Sequence, residues 1–178
     1  AAVKESLHRV RAAMTNAGYS WPYNKRLTIN LAPADSRKEG PLYDLPIALG
    51  AMAASEQMQS ESLNDYLYVG ELALDGKLRP VKGALLFALL AKDLKKKGIF
   101  VPPEIAAEAA VVEGIEVFAP TTLPEAAAHL NGVSLLQPVR LDIDELFSKP
   151  GPEGMLDLSD VRGQEHVKRA ITVAAAGA

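Results

Sequence analysis

The chain has 178 residues, 48% apolar and 23% charged, with 19 Lys and Arg against 22 Asp and Glu for a formal charge of −3. That balance suits one soluble globular core with an extension and excludes a broadly basic nucleic-acid surface, leaving any such contact to a local patch. With no cysteine there is no disulfide framework or thiolate metal site; no apolar run is long enough to cross a bilayer and no signal-peptide pattern opens the chain, so a cytoplasmic location is expected.

Val3, Leu7, Val10, Met14 and Ala17 recur at helical spacing and predict an amphipathic helix over residues 3–17, stopped by Gly18. It begins almost at residue 1 without a capping residue, which suggests that preceding structure is missing. Leu27, Ile29 and Leu31 alternate with Thr28 and Asn30, the pattern of a half-buried strand over 25–32, and a polar loop follows over 33–41. Asp44 is expected to cap an Ala- and Leu-rich helix reaching about Gln57, with Pro46 tolerated in its first turn.

Residues 66–74 and 77–81 read as two strands around a type I′ turn at Asp75 and Gly76, residues that accept the positive φ such a turn needs. Beyond Gly83 an apolar helix over 84–91 runs into Lys95, Lys96, Lys97 and Gly98, where cations suit the macrodipole and the glycine suits a left-handed stop. A strand at 99–102, a helix at 103–112, a strand at 115–120 and a helix at 124–130 capped by Thr122 complete the pattern. Such alternation implies neighbouring parallel strands with helices on one face. Prolines and glycines at Pro138, Pro150, Gly151, Pro152 and Gly154 break the periodicity and mark a linker over 133–156.

Several strings in this order resemble one family. Asn30-Leu31-Ala32-Pro33-Ala34-Asp35, Arg37-Lys38-Glu39-Gly40-Pro41, Tyr43-Asp44-Leu45-Pro46, the stretch from Val69 to Val81, and Gly163-Gln164-Glu165-His166-Val167-Lys168 are similar to the magnesium-chelatase-like AAA+ ATPases of the competence-associated ComM type. The resemblance implies an α+β fold: a Lon-protease-like domain of the ribosomal S5 domain 2-like class, N-terminally truncated, over 1–132, the linker over 133–156, and the opening of an AAA+ module over 157–178. It also implies a hexameric parent that drives branch migration of DNA during uptake and recombination, with branched or single-stranded DNA as partner and ATP with magnesium as cofactors. In that module Val161, Gly163 and Gln164 resemble the segment that lies against the adenine. No G-x-x-x-x-G-K-[ST] loop occurs in the chain, so no useful ATP affinity is expected of these residues alone.

Lon-type proteases carry a serine after a Gly-Pro pair and a lysine after a Gly-Gly pair, and the lysine takes the serine's proton. Here the flanks place Leu42 and Leu85 at those positions, and a leucine neither attacks nor accepts a proton. Ser36, Lys38 and Lys82 lie near enough in sequence for a displaced dyad to be the peptidase alternative; a chelatase-like chaperone acting on a protein client is the other. His8, His129 and His166 are too scattered to form a metal set and read as solvated or capping residues. Lys92 and Lys95 to Lys97 read as a solvated helix end, while Arg37, Lys38, Lys77, Arg79 and Lys82 are the candidates for contact with DNA or a neighbouring subunit.

Overall fold

A computed structural model describes residues 2–23, 27–30, 41–58, 61–141 and 158–177. The chain divides into two units, Ala1–Leu141 and Asp142–Ala178. In the first, α1 (Ala2–Asn16) buries Val10, Ala13 and Met14 on one side, as their spacing requires, and Gly18 at φ 86° ends it. Residues 27–30 keep the expected alternation, with Leu27 and Ile29 half-buried on the core and Thr28 and Asn30 exposed. They do not form a strand, because the segment has no ladder partner among the described residues; the rest of the expected strand and the polar loop lie outside them.

The next helix, α2 (Asp44–Ala54), is capped differently from expectation. Tyr43 occupies the cap position without a side-chain cap bond, and Asp44 is the first helical residue. Its carboxylate instead turns into the core, where α1 and the strand beyond supply its donors. The expected hairpin is also re-divided. Residues β1 (Tyr66–Tyr68) join a parallel sheet, and only β2 (Glu71–Leu72) and β3 (Leu78–Arg79) pair antiparallel, Glu71 opposite Arg79 and Leu72 opposite Leu78. Gly76 alone takes a positive φ in the turn, at 84°, which rules out type I′. Its N–H closes a tight turn on the Ala73 carbonyl, and Asp75 stays at negative φ, its carboxylate accepting the Lys77 N–H at 3.1 Å.

Helix α3 (Ala84–Asp93) begins at Gly83, left-handed at φ 91°, and stops with Lys95 left-handed at φ 55°. Gly98 is therefore not its terminator. It opens β4 (Gly98–Phe100), where a Cβ would run into the Glu116 carbonyl of the neighbouring strand. After α4 (Pro103–Ala110), β5 (Glu116–Phe118) completes a parallel sheet of order β1-β4-β5. Period-two alternation sends Ile99 and Val117 to one face, against Ala88 and Ala91 of α3 and Ala106 and Ala109 of α4. The other face presents Phe100 and Phe118 to α1, α2 and α5 (Leu123–Leu130).

Helices thus cover both faces, where one was expected. The reason lies at the entry to α5: the Leu78 N–H donates to the Thr121 carbonyl at 2.9 Å and the Leu123 N–H to the Gly76 carbonyl at 2.8 Å, tying this turn to the hairpin and carrying α5 to its side. Thr122 caps α5 as expected, accepting the Glu125 N–H, while Glu125 returns to the Thr121 N–H and hydroxyl. The second unit contains a 3-10 turn (Leu158–Asp160) and α6 (Glu165–Ala176).

Candidate functional site

The Lon-like dyad positions are the first place to look for chemistry. A turn brings Leu42 beside Gly70: the Gly70 N–H donates to the Leu42 carbonyl at 3.2 Å, and the Leu45 N–H donates to the Gly70 carbonyl at 3.1 Å. The Leu42 side chain is half-buried against the cluster that also holds Ala84, the residue before Leu85. Leu85 stands in the first turn of α3, 37% exposed, its N–H donating to the Glu108 carboxylate at 3.0 Å. This end of α3 is closed by the Glu108 carboxylate from α4. Ser36 and Lys38 lie outside the described residues, and Lys82 is exposed. The buried hydroxyl of Ser6 is already committed to Asp44.

Asp44 is the polar centre that its sequence position did not reveal. It is fully buried, and its oxygens accept from the Ser6 hydroxyl, from Arg9 Nε at 2.9 Å and Nη2 at 3.3 Å, and from the Leu72 N–H at 3.2 Å. Those donors match the lone pairs of a carboxylate, so its charge is compensated where it sits. The hydrogen bond to Asp44 is the main cause that raises the Arg9 pKa above its ordinary value. Only the i to i+3 and i+4 pattern joining Ser6 and Arg9 to the α1 face hinted at this pairing; its partner, 35 residues away, carried no local signal.

The cationic candidates separate into paired and unpaired groups. Lys77 and Arg79 are exposed on the hairpin, but Lys77 Nζ lies 3.4 Å from Asp75 and Arg79 Nη1 3.6 Å from Glu71. The Lys77 backbone N–H, followed by its ammonium, holds the Asp75 carboxyl below the usual range. Lys82 makes no ion pair among the described residues, and Arg37 lies outside them. At the end of α3, Lys96 donates to the Asn64 carbonyl at 2.5 Å and Lys97 pairs with Asp65 at 2.6 Å, so half of the lysine run fastens α3 to the segment entering β1.

The histidines do not converge, and no group that could hold a metal ion occurs among the described residues. His8 and His166 are exposed. His129 is more than a capping residue: its ring lies 4.4 Å from that of Phe118 and 5.3 Å from that of Phe100, and Nδ1 accepts the Leu136 N–H at 2.9 Å. Burial lowers its pKa, against the opposing pull of Glu116.

In the second unit Val161 is 43% exposed, Gly163 and Gln164 both take positive φ, at 70° and 58°, and Gln164 precedes α6. These three side chains carry neither cation nor carboxylate. No helix among the described residues is long and apolar enough to cross a membrane.

Comparison with known proteins gives a consistent answer. Residues 1–105 match the family described as subunit ChlI of Mg-chelatase. Competence protein ComM of Haemophilus influenzae is 42% identical over 175 residues, covering 98% of this chain and 34% of that protein. The uncharacterized protein YifB of Salmonella typhimurium is 44% identical over 176 residues, covering 98% and 33%, and YifB of Escherichia coli is 41% identical over 181 residues with the same coverage. The chain spans about a third of the length of the curated relatives it matches. An α+β unit with a parallel sheet, matched over more than half of the chain, therefore belongs to the Mg-chelatase subunit ChlI family, in its ComM- and YifB-like branch.

Proposed function

We propose that residues 1–132 form a Lon-protease-like accessory domain of the S5 domain 2-like class, that 133–156 link it to an AAA+ module beginning at 157, and that the parent is a cytoplasmic hexameric ATPase moving branched DNA. The observation that carries this reading is the 42% identity to a competence protein across 98% of the chain. Leucine at both dyad positions supports a scaffold retained for contacts rather than for peptide hydrolysis. Hydrolysis of ATP with magnesium belongs, on this reading, to parts of the parent that carry a phosphate loop, and Val161, Gly163 and Gln164 contribute at most an uncharged wall beside the base. The DNA or subunit contacts fall to Arg37, Lys38, Lys77, Arg79 and Lys82.

The test is unwinding of a branched DNA by the intact parent, with this domain present or deleted. Loss of unwinding with ATPase activity retained is the expected result; unwinding that is indifferent to the domain overturns its role. The chaperone reading draws on a specific observation too, the exposed leucines of α3, which suit a protein surface better than a phosphate backbone. Salt-insensitive capture of a client, without DNA binding, would favour it.

A further inference from the structure

The chain that follows α5 has no regular secondary structure, yet hydrogen bonds fasten it to the first unit. The Val133 N–H donates to the Ala128 carbonyl at 2.9 Å, the Leu136 N–H to His129 Nδ1 at 2.9 Å, and the Val139 N–H to the Val117 carbonyl at 2.7 Å. Leu136 packs on the Phe100 and Phe118 cluster and Val139 on the Ile99 and Val117 cluster, so the segment crosses the outer edge of β5 from one face of the sheet to the other. Val133 and Leu135 stay exposed, at 80% and 69%, which leaves little burial to hold it.

The middle attachment differs in kind from the other two. A carbonyl accepts at any ordinary pH, whereas an imidazole nitrogen accepts only while it carries no proton. Protonation at Nδ1 sets an N–H against the Leu136 N–H, donor facing donor. Around the ring, β1 brings Tyr66, with Asp65 beside it already paired to Lys97; β4 brings the uncharged Phe100; β5 brings Phe118 and the Glu116 carboxylate. On α5 itself Glu125 is taken up by Thr121, and α2, which also packs on α5, has only Asp44, held by Ser6 and Arg9. Residues 133–139 contain no titratable side chain. Glu116 and the carbonyl end of α5 draw a proton towards the ring and burial repels it, burial being the stronger.

We infer that residues 133–139 form a releasable strap, clasped by the neutral imidazole of His129, and that a proton on Nδ1 frees the strap while the sheet and its helices stay folded. Release uncovers the Val117 carbonyl at the β5 edge and moves the attachment of the chain from Val139 back to the end of α5. It lies between the core of the first unit and position 142, where the second begins, so each freed residue adds roughly 3.3 Å of tether. A lightly buried segment opens well before the whole fold does. Neither DNA nor nucleotide enters, so the strap stands apart from the reading above.

The test is an NMR titration of the chain from about pH 7.5 to about pH 5, following the His129 Cε1 proton for the charge of the ring and backbone 15N relaxation for the order of the strap. As the ring gains its proton, the order parameters of Leu136 and Val139 should fall from about 0.85 to below about 0.6, while Val101, whose N–H donates to the Phe118 carbonyl, stays rigid. A protonated ring with Leu136 still ordered overturns the proposal, as does a ring that stays neutral throughout. Loss of order at Val101 together with Leu136 means unfolding rather than release and overturns it too. His129→Phe, which offers no acceptor, should have a mobile strap on an ordered core already at about pH 7.5. An ordered strap in that variant means the imidazole is not the clasp; should the variant fail to fold, the titration of the native ring decides alone.

Discussion

Arg9 Nε stands 2.9 Å from Oδ2 of Asp44, and that carboxylate is wholly buried between α1, α2 and β2. Removing the cation alone leaves a buried charge with only the Ser6 hydroxyl and Leu72 N–H to hold it. Arg9→Met is therefore expected to lower unfolding free energy by about 3 kcal/mol, the scale for breaking one side of a buried pair. The double variant Arg9→Met with Asp44→Asn should be more stable than Arg9→Met alone, since the stranded charge is gone. Urea denaturation of the four proteins in the cycle measures this; additive losses would mean that the two residues act independently.

His129 gives the fold a pH dependence of defined sign. Only the neutral ring can accept the Leu136 N–H at Nδ1, and burial among Tyr66, Phe100 and Phe118 lowers the folded-state pKa below the unfolded value near 6.5. The unfolded chain then binds the proton more readily. The contribution is complete above about pH 6.5, falls as pH drops through the interval down to the lower folded-state value, and levels off beneath it. Denaturation curves collected from about pH 7.5 to 5 should show this loss, and His129→Phe should flatten it in that window. Equal slopes for both proteins would remove His129 from the account.

What was legible in the sequence follows from range. Thr122 with Glu125, the amphipathic run of α1 and the alternation of β4, α4 and β5 are set by neighbours within a turn or two, and they appear where the residues placed them. The misread features were settled by distant partners. Asp44 looks like a cap until Arg9 and Leu72 claim it, and Gly98 looks like a helix stop until the backbone of Glu116 crowds it. Of the site, only the apolar character of Leu42 and Leu85 could be read directly. The pairing of Lys77 with Asp75 and Arg79 with Glu71 needed the hairpin register, which the sequence assigned to the wrong turn.

Two glycines should respond oppositely to alanine. At Gly98 the added methyl meets the Glu116 backbone carbonyl in a central parallel strand, where nothing flexible can yield, and a loss of about 2 kcal/mol or more is expected. At Gly50 the methyl meets open space on a helix, and a gain of about 0.5 to 1 kcal/mol is expected from the restricted unfolded chain and better helix propensity. Thermal melts of the two variants against the parent sequence decide both. A stabilised Gly98→Ala would mean that β4 and β5 are not as close as described.

The dyad positions predict silence. With Leu42 packed on the core and Leu85 carrying no proton acceptor, casein incubated with the chain should show no cleavage above a blank, and Ser36→Ala should change nothing. Cleavage that Ser36→Ala abolishes would establish a displaced nucleophile and reverse the scaffold reading.

The hairpin cations yield the sharpest check on DNA contact, because their own carboxylates restrain them. Phosphate must displace Asp75 from Lys77 and Glu71 from Arg79, which weakens the charge each brings to a duplex. Asp75→Asn keeps an oxygen to accept the Lys77 N–H, so the turn survives while the ammonium is freed; Glu71→Gln frees Arg79 in the same way. If this hairpin lies on DNA, the paired substitutions should tighten binding by the parent protein and steepen the fall of log K with log salt by up to about 0.9 per released cation. Fluorescence anisotropy on a branched duplex across a salt series reads the slope. An unchanged slope in the double variant, with unwinding intact, would take Lys77 and Arg79 off the DNA and leave Lys82 and the segment around Arg37 and Lys38 to carry any contact.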